Sequence, residues 1–277
     1  MSELYSLPPI QELMAVHNIV PTKALGQHFL LDQNITDKIV RYAAIPANST
    51  VFEIGPGPGG LTRSLLASEA EQIHAIEKDD RCMGLLQAMQ DAAGARLSVH
   101  HKDALEVSLP AMAAAPRCVV ANLPYNVGTA LILNWLDDVH VDPSAYHSLT
   151  LMVQQEVAER MAAQPYSKAY GKLSILAQWL CDVHIVMEVP PSVFVPPPKV
   201  MSAVVQLVPR QARLDMDKAA LERITHKAFQ QRRKMLRGSL KGLHPNPEAW
   251  LEQAGIDPTL RADQLDIAGY GKLANSV

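Results

Sequence analysis

Gly55, Gly57 and Gly60 stand in G-x-G-x-x-G spacing directly after the apolar run Val51-Phe52-Glu53-Ile54, and Glu77 closes the next apolar run about 20 residues on. A glycine turn lets the backbone pass close to a nucleotide-like cofactor. A carboxylate at that distance can accept the hydroxyl hydrogens of a ribose. Two cofactors would use such a site: a dinucleotide, or an adenosine with a cationic, phosphate-free tail. A pyrophosphate is gripped by backbone N–H groups, and Pro56 and Pro58 have none. Glu53 would also add negative charge beside a dianionic ligand. S-adenosylmethionine therefore suits the loop better than a dinucleotide, and a nucleotide-dependent oxidoreductase becomes the weaker alternative. Asp103, after a third apolar run, could accept from an adenine amino group. Taken singly, an acid after a strand is as readily a helix N-cap or a solvated charge.

The fourth apolar run ends in Asn122-Leu123-Pro124-Tyr125. The lone pair of an adenine N6 is delocalised into the ring and is a poor nucleophile. Acceptors for both amino hydrogens, the Asn122 side-chain oxygen and the Leu123 carbonyl, would favour a more tetrahedral nitrogen and stabilise charge as a methyl group arrives. Pro124 would stiffen the turn that aims the carbonyl, and Tyr125 offers a face on which an extruded base can stack. Asn and Pro also favour ordinary turns. The position of this tetrapeptide, behind three strands that already carry a cofactor signature, favours the catalytic reading.

These residues need a scaffold that brings successive strand ends to one edge. Short β-branched runs (TVFEI, QIHAIE, RLSVHHKDAL and RCVVANLPY with their polar ends, SLTLMVQQ) alternate with helical patterns (ITDKIVRYAA stopped by Pro46, LTRSLLAS, about Arg81 to Gln90, TALILNWL, KLSILAQWL). VHIVMEV and SAVVQLV read as two neighbouring strands. The alternation predicts an α/β fold with a doubly wound, mainly parallel sheet, and ligands beyond the carboxyl ends of its strands. After Pro209 only helical patterns remain. The expected domains are 1–209 and a small helical C-terminal domain, 210–277.

Composition narrows the function further. The 277-residue chain is 48% hydrophobic and has no run of the length a membrane helix needs. The stretch MSELYSLPPI lacks the pattern of a secretion signal. Cys82, Cys118 and Cys181 are widely spaced in apolar surroundings, which suggests reduced, packed thiols and no metal framework. A cytosolic protein is expected. A net charge of −3 is not what a protein that simply coats nucleic acid would carry as a rule, so any such role needs a local basic patch. QQRRKMLRGSLK supplies one: in a helix Arg233, Arg237 and Lys241 would share a face, flanked by Arg232 and Lys234, with Leu236 and Leu240 turned inward. A solvated basic helix and a phosphate-contacting edge both fit.

With these motifs in order, the chain from about Lys23 onward resembles the ribosomal RNA adenine dimethyltransferases, and among them most closely the bacterial enzymes that act on two adjacent adenines near the 3′ end of 16S ribosomal RNA. KALGQHFLLD looks like the family's cofactor-covering motif, within an N-terminal segment 1–34. EIGPGPGGLT, IEKD, DAL and NLPYNV look like its cofactor and catalytic motifs, and SKAYGKLS, PPSVFVPPPKV and AFQQRRKMLRGSL like its later blocks. The resemblance implies a Rossmann-like class I methyltransferase sheet, S-adenosylmethionine, and cofactor contacts at His28, Leu30, Gly55, Glu77, Asp103 and Asn122. It also implies that Phe194 stacks on the target base opposite Tyr125; alone, Phe194 reads as a core residue. The implied partner is 16S ribosomal RNA in the small-subunit precursor, bound by a monomer at Arg232, Arg233, Lys234, Arg237 and Lys241. Position 28 is often Asn in the family. The alternatives are a 23S ribosomal RNA adenine methyltransferase, against which Leu123 and AFQQRRK weigh, and a checkpoint factor for small-subunit assembly.

Overall fold

The computed structural model describes residues 8–17, 19 and 27–276. Part of the N-terminal segment, including Lys23–Gly26 of the covering motif, lies outside them. The chain folds as two compact units. One holds the described residues up to Ala158 together with His184–Pro209; the other holds Glu159–Val183 together with Arg210 onward.

In chain order the first unit begins with α1 (Ile10–Val16), β1 (Phe29–Leu30), α2 (Gln33–Ala43), β2 (Thr50–Ile54), α3 (Gly60–Leu66), β3 (Gln72–Glu77), α4 (Asp80–Ala93) and β4 (Leu97–His101). It continues through β5 (Arg117–Asn122), α5 (Gly128–Val141), β6 (Ser148–Gln154) and α6 (Gln155–Ala162), the last running into the second unit. The helix read in ITDKIVRYAA is α2. Asp32 caps its N-terminus, accepting from the Asn34 N–H at 2.9 Å, and Ala44 ends it in the left-handed region (φ 45°), two residues before Pro46.

The seven-stranded sheet has the order β4-β3-β2-β5-β6-β9-β7, where β7 is Cys181–Val189 and β9 is Ser202–Pro209. The β4/β3, β3/β2, β2/β5 and β5/β6 pairs are parallel, and β6/β9 is antiparallel. From central β2 the chain winds outward through β3 and β4, then returns to β5 on the other side. The strand order reverses between β2 and β5, which opens a crevice at their carboxyl ends. Both strands are covered on their two faces, so they read as continuous apolar runs rather than alternating ones. Val51, Phe52, Val119 and Val120 are fully buried, each contributing about 1.5–3 kcal/mol.

Sequence reasoning missed α1 and a separate ribbon of two-residue strands, in which β1 pairs antiparallel with β8 (Phe194–Val195).

The second unit contains α7 (Lys172–Leu180), α8 (Lys218–Gln230), α9 (Leu236–Ser239), α10 (Pro247–Gln253) and α11 (Ile267–Ala274). It takes in more than the expected 210–277. α7 sits between strands in sequence, as a sheet-covering helix would, yet it is buried on most sides and packs against α8 and α11. Phe229 stacks with Tyr270 and meets Tyr170 edge to face, and the Trp179 indole donates to the Leu214 carbonyl at 2.8 Å.

The expected helix through Arg233, Arg237 and Lys241 does not form. α8 stops at Gln230, residues 231–234 turn, and the chain is drawn into backbone pairing with 258–261: Met235 bridges Arg261, and the Leu236 N–H donates to the Leu260 carbonyl at 2.7 Å. Leu236 and Leu240 do turn inward and are fully buried.

The three cysteines are free and buried; desolvation pushes the Cys82 and Cys181 thiols up to about 12. No helix among the described residues is long and apolar enough to cross a membrane.

Candidate active site

His28, Gly55, Glu77, Asp103, Asn122, Leu123, Pro124 and Tyr125 line one cleft at the β2/β5 crevice. It encloses about 920 Å³, counting space open to solvent. Each residue arrives from the carboxyl end of a strand or from the covering segment before α2.

The glycine turn leaves the strand at φ +66° for Gly55 and +55° for Gly57, a region other residues rarely adopt. Gly60 is needed for a different reason: a Cβ there would lie 2.4 Å from the Leu30 carbonyl oxygen, so its absence lets β1 close over the loop.

The backbone donors of this turn can be followed one by one. Gly55 N–H donates to the Ile76 carbonyl and Gly59 N–H to the Pro56 carbonyl, both at 2.9 Å. Gly57 N–H donates to Glu77 Oε2 at 2.9 Å, and the two prolines have no N–H. No donor from Gly55 to Gly59 is left for a phosphate. A neutral or cationic cofactor tail therefore fits this turn better than a pyrophosphate.

Glu77 is locked from behind. Its Oε1 accepts from the Lys78 and Asp79 N–H groups at 2.8 Å, which leaves remaining lone pairs for ribose hydroxyls. Burial raises its pKa, opposed by these backbone bonds. Asp103 combines two roles. It caps a 3-10 turn through the Leu105 N–H at 3.0 Å, and its Oδ2 accepts from Lys78 Nζ at 2.6 Å, which lowers its pKa. Asp79 and Gln27, which sequence reasoning missed, tie the covering segment down: Gln27 Nε2 donates to Asp79 Oδ2 at 2.7 Å, and Arg81 pairs with the same carboxylate, holding it at about 2. Both fall inside motifs already noted, Gln27 in KALGQHFLLD and Asp79 in IEKD, where neither was singled out; Asp79 is also the N-cap of α4.

Glu53 differs from the expectation. It is fully buried with Oε2 unpartnered, and desolvation, helped by the Glu77 charge, pushes its carboxyl up to about 8. At neutral pH it is therefore mostly neutral, and the case against a phosphate rests on the spent donors instead. Below its ordinary value of 4.5 this carboxyl is protonated in the folded and unfolded chain alike. As pH rises further, the unfolded chain releases the proton while the folded one keeps it, so stability falls until about pH 8. Glu53→Gln, compared with the parent chain by chemical denaturation, is expected to gain relative stability between pH 5 and 8, approaching roughly 4 kcal/mol. A difference that does not change with pH would contradict the assignment.

At the end of β5 the Asn122 Nδ2 donates to the His28 carbonyl at 3.2 Å, leaving Oδ1 as an acceptor with no donor among the described residues. The Leu123 N–H is held by the Met152 carbonyl at 3.0 Å, while its own carbonyl has no donor among the described residues. The Pro124 carbonyl, by contrast, is taken by the Val127 and Gly128 N–H groups. Pro124 lies against the glycine turn, 3.6 Å from where a Gly55 Cβ would sit. Two aimed acceptors thus adjoin the cofactor loop. Tyr125 is fixed through a 2.7 Å hydrogen bond between its hydroxyl and that of buried Ser202, and its ring lies 5.3 Å from that of His28. The His28 ring in turn donates from Nδ1 to the Pro196 carbonyl at 2.8 Å.

Leu30 and Phe194 do not line the cleft. They pair across β1 and β8 and are buried in the hydrophobic core, Phe194 to 2% exposure. Arg232 is also turned inward, donating to the Ser167 carbonyl at 2.9 Å and pairing with Asp263.

The family model for ribosomal RNA adenine dimethylase matches residues 21–277. The chain belongs to that family. A ribosomal RNA small subunit methyltransferase A of Ruegeria sp. (strain TM1040) is 51% identical over 278 residues, covering 100% of this chain and 99% of that protein. Among solved structures, a dimethyladenosine transferase from Plasmodium falciparum superposes with a TM-score of 0.77 at 27% identity, over 89% of this chain and 96% of that one. The 23S rRNA methyltransferase ErmE gives 0.67 at 25% identity, over 90% and 98%. As an adenine dimethylase the chain uses S-adenosylmethionine, which agrees with a loop that has no donor left for a phosphate.

Proposed function

We propose that this dimethylase transfers two methyl groups to N6 of each of two adjacent adenines near the 3′ end of 16S ribosomal RNA, acting as a cytoplasmic monomer on the small-subunit precursor. The observation that carries the chemistry is the pair of free acceptors, Asn122 Oδ1 and the Leu123 carbonyl, beside a loop with no spare N–H. Bound S-adenosylmethionine supplies an electrophilic methyl group. Glu77 would hold its ribose and Asp103 its adenine amino group. The two acceptors draw the hydrogens of the target amine toward themselves, localising the nitrogen lone pair and stabilising positive charge as the new bond forms. Tyr125, anchored by Ser202, offers its face to the extruded base. The methylated nitrogen is acidic, so no general base is required. Incubation with unmethylated small and large ribosomal subunits and labelled S-adenosylmethionine tests the substrate: label belongs in the small subunit, and label only in the large one would refute the reading.

The second unit supplies the RNA contact. Arg233, Lys234 and Lys241 are exposed and have no ion pair among the described residues, whereas Arg237 is shared with Glu248 at 2.7 Å. Arg233→Glu combined with Lys234→Glu is expected to weaken RNA binding and to reduce its salt dependence by about one unit of slope per lost phosphate contact. Cofactor affinity, measured by calorimetry, stays unchanged. Unaltered RNA affinity would remove this segment from the interface.

A further inference from the structure

Tyr166, in the QPYSKAYG stretch before α7, has no part in the reading so far. It is 69% exposed, and its backbone sits at φ +69°, a conformation that a bulky aromatic residue rarely adopts. The surrounding chain enforces it. The Tyr166 N–H donates to the Asp263 carbonyl at 2.7 Å. On the other side the Ser167 carbonyl accepts from Arg232, whose guanidinium also pairs with the Asp263 carboxylate at 3.2 Å. Ser167 further donates its N–H and hydroxyl to the Gln164 carbonyl. The loop is thus braced on both flanks of a residue whose ring stands free and whose phenol makes no hydrogen bond among the described residues.

The surroundings are cationic. Lys168 and Lys172 are exposed on the same stretch, and Arg233 and Lys234 follow the bracing arginine directly. The one carboxylate in the brace, Asp263, is offset by Arg232. A rigidly held, exposed aromatic ring, on a loop that carries exposed lysines and is tied through Arg232 to a second basic segment, matches the chemistry of an unstacked nucleobase and its flanking phosphates.

We propose that Tyr166 is a stacking platform for an unpaired base of the RNA substrate, and that Arg232 is the positioning residue that presents it. This rests on the reading of the second unit as the RNA-binding part.

Tyr166→Asn separates function from folding, because asparagine accepts the left-handed backbone that tyrosine strains. Its thermal stability is expected to match or exceed that of the parent chain, while affinity for unmethylated small ribosomal subunits falls about 5-fold or more with an unchanged salt slope. Tyr166→Phe should bind like the parent. With p-benzoylphenylalanine at position 166, illumination of the complex should give a cross-link that nuclease removes. Parent-like affinity of Tyr166→Asn, or a cross-link to ribosomal protein instead of RNA, would overturn the proposal. If Tyr166→Asn binds normally while Arg233→Glu/Lys234→Glu does not, only the stacking role fails; if both bind normally, the RNA-binding reading of this unit fails with it.

Discussion

Asn122→Ala is expected to lower the rate of methyl transfer by a factor of about 100 or more, with S-adenosylmethionine affinity nearly unchanged. Loss of one preorganised polar partner of a developing charge typically costs about 2.7–4 kcal/mol in the transition state. Oδ1 of Asn122 is well placed for that role, because Nδ2 is already committed to the His28 carbonyl and fixes the orientation of the amide. Asn122→Asp tests the same geometry from the other side. It keeps an acceptor but sets a carboxylate oxygen against the His28 carbonyl, so it should not restore the rate. Single-turnover kinetics separate transfer from binding; an Asn122→Ala enzyme with the parent rate would take Asn122 out of the chemistry.

Glu77→Gln is expected to damage both cofactor binding and folding. Three backbone N–H groups, of Gly57, Lys78 and Asp79, converge on this carboxylate at 2.8–2.9 Å. An amide in its place turns an N–H donor toward at least one of them, and a buried donor left without an acceptor costs about 1–3 kcal/mol. Charge-assisted bonds to the remaining oxygen are lost as well. The glycine turn therefore loosens as the ribose loses its acceptor. S-adenosylmethionine affinity should drop at least about tenfold, with a parallel loss of about 2 kcal/mol in stability measured by denaturant unfolding. Parent-like affinity would mean that the ribose is held elsewhere.

The elements that place this site were legible in the sequence because their signals are local. β2, β3 and β5 are buried on both sides and therefore appear as mainly apolar runs, interrupted by Glu53 and His74, and the acid or amide that ends β3 and β5 falls at the cleft by topology alone. Asn122 and Leu123 were readable for the same reason. What escaped has no local signal. Two-residue strands such as β1 and β8 have no periodicity, so nothing in FL or FV announces that they pair, or that this pairing buries Phe194 in the core. Gly60 looks like a cofactor glycine, but its neighbour is the Leu30 carbonyl from a segment 30 residues earlier. The basic stretch failed in a different way. Its four-residue spacing is helical, yet long-range backbone pairing of Met235 and Leu236 with residues 260 and 261 overrides it. One of its arginines, Arg232, becomes a brace for a loop some 65 residues earlier in the chain. Glu53 illustrates the electrostatic version of the same limit, since its charge depends on burial that only the fold creates.

The central claim is that the free acceptors at Asn122 and Leu123 direct a methyl group to an adenine amino nitrogen. Nucleoside mass spectrometry of small-subunit RNA methylated by the purified protein tests this most directly. N6,N6-dimethyladenosine is expected at two neighbouring positions near the 3′ end, with nothing at ring nitrogens, ring carbons or ribose oxygens. Methylation at any of those other atoms, with N6 unmodified, would contradict it.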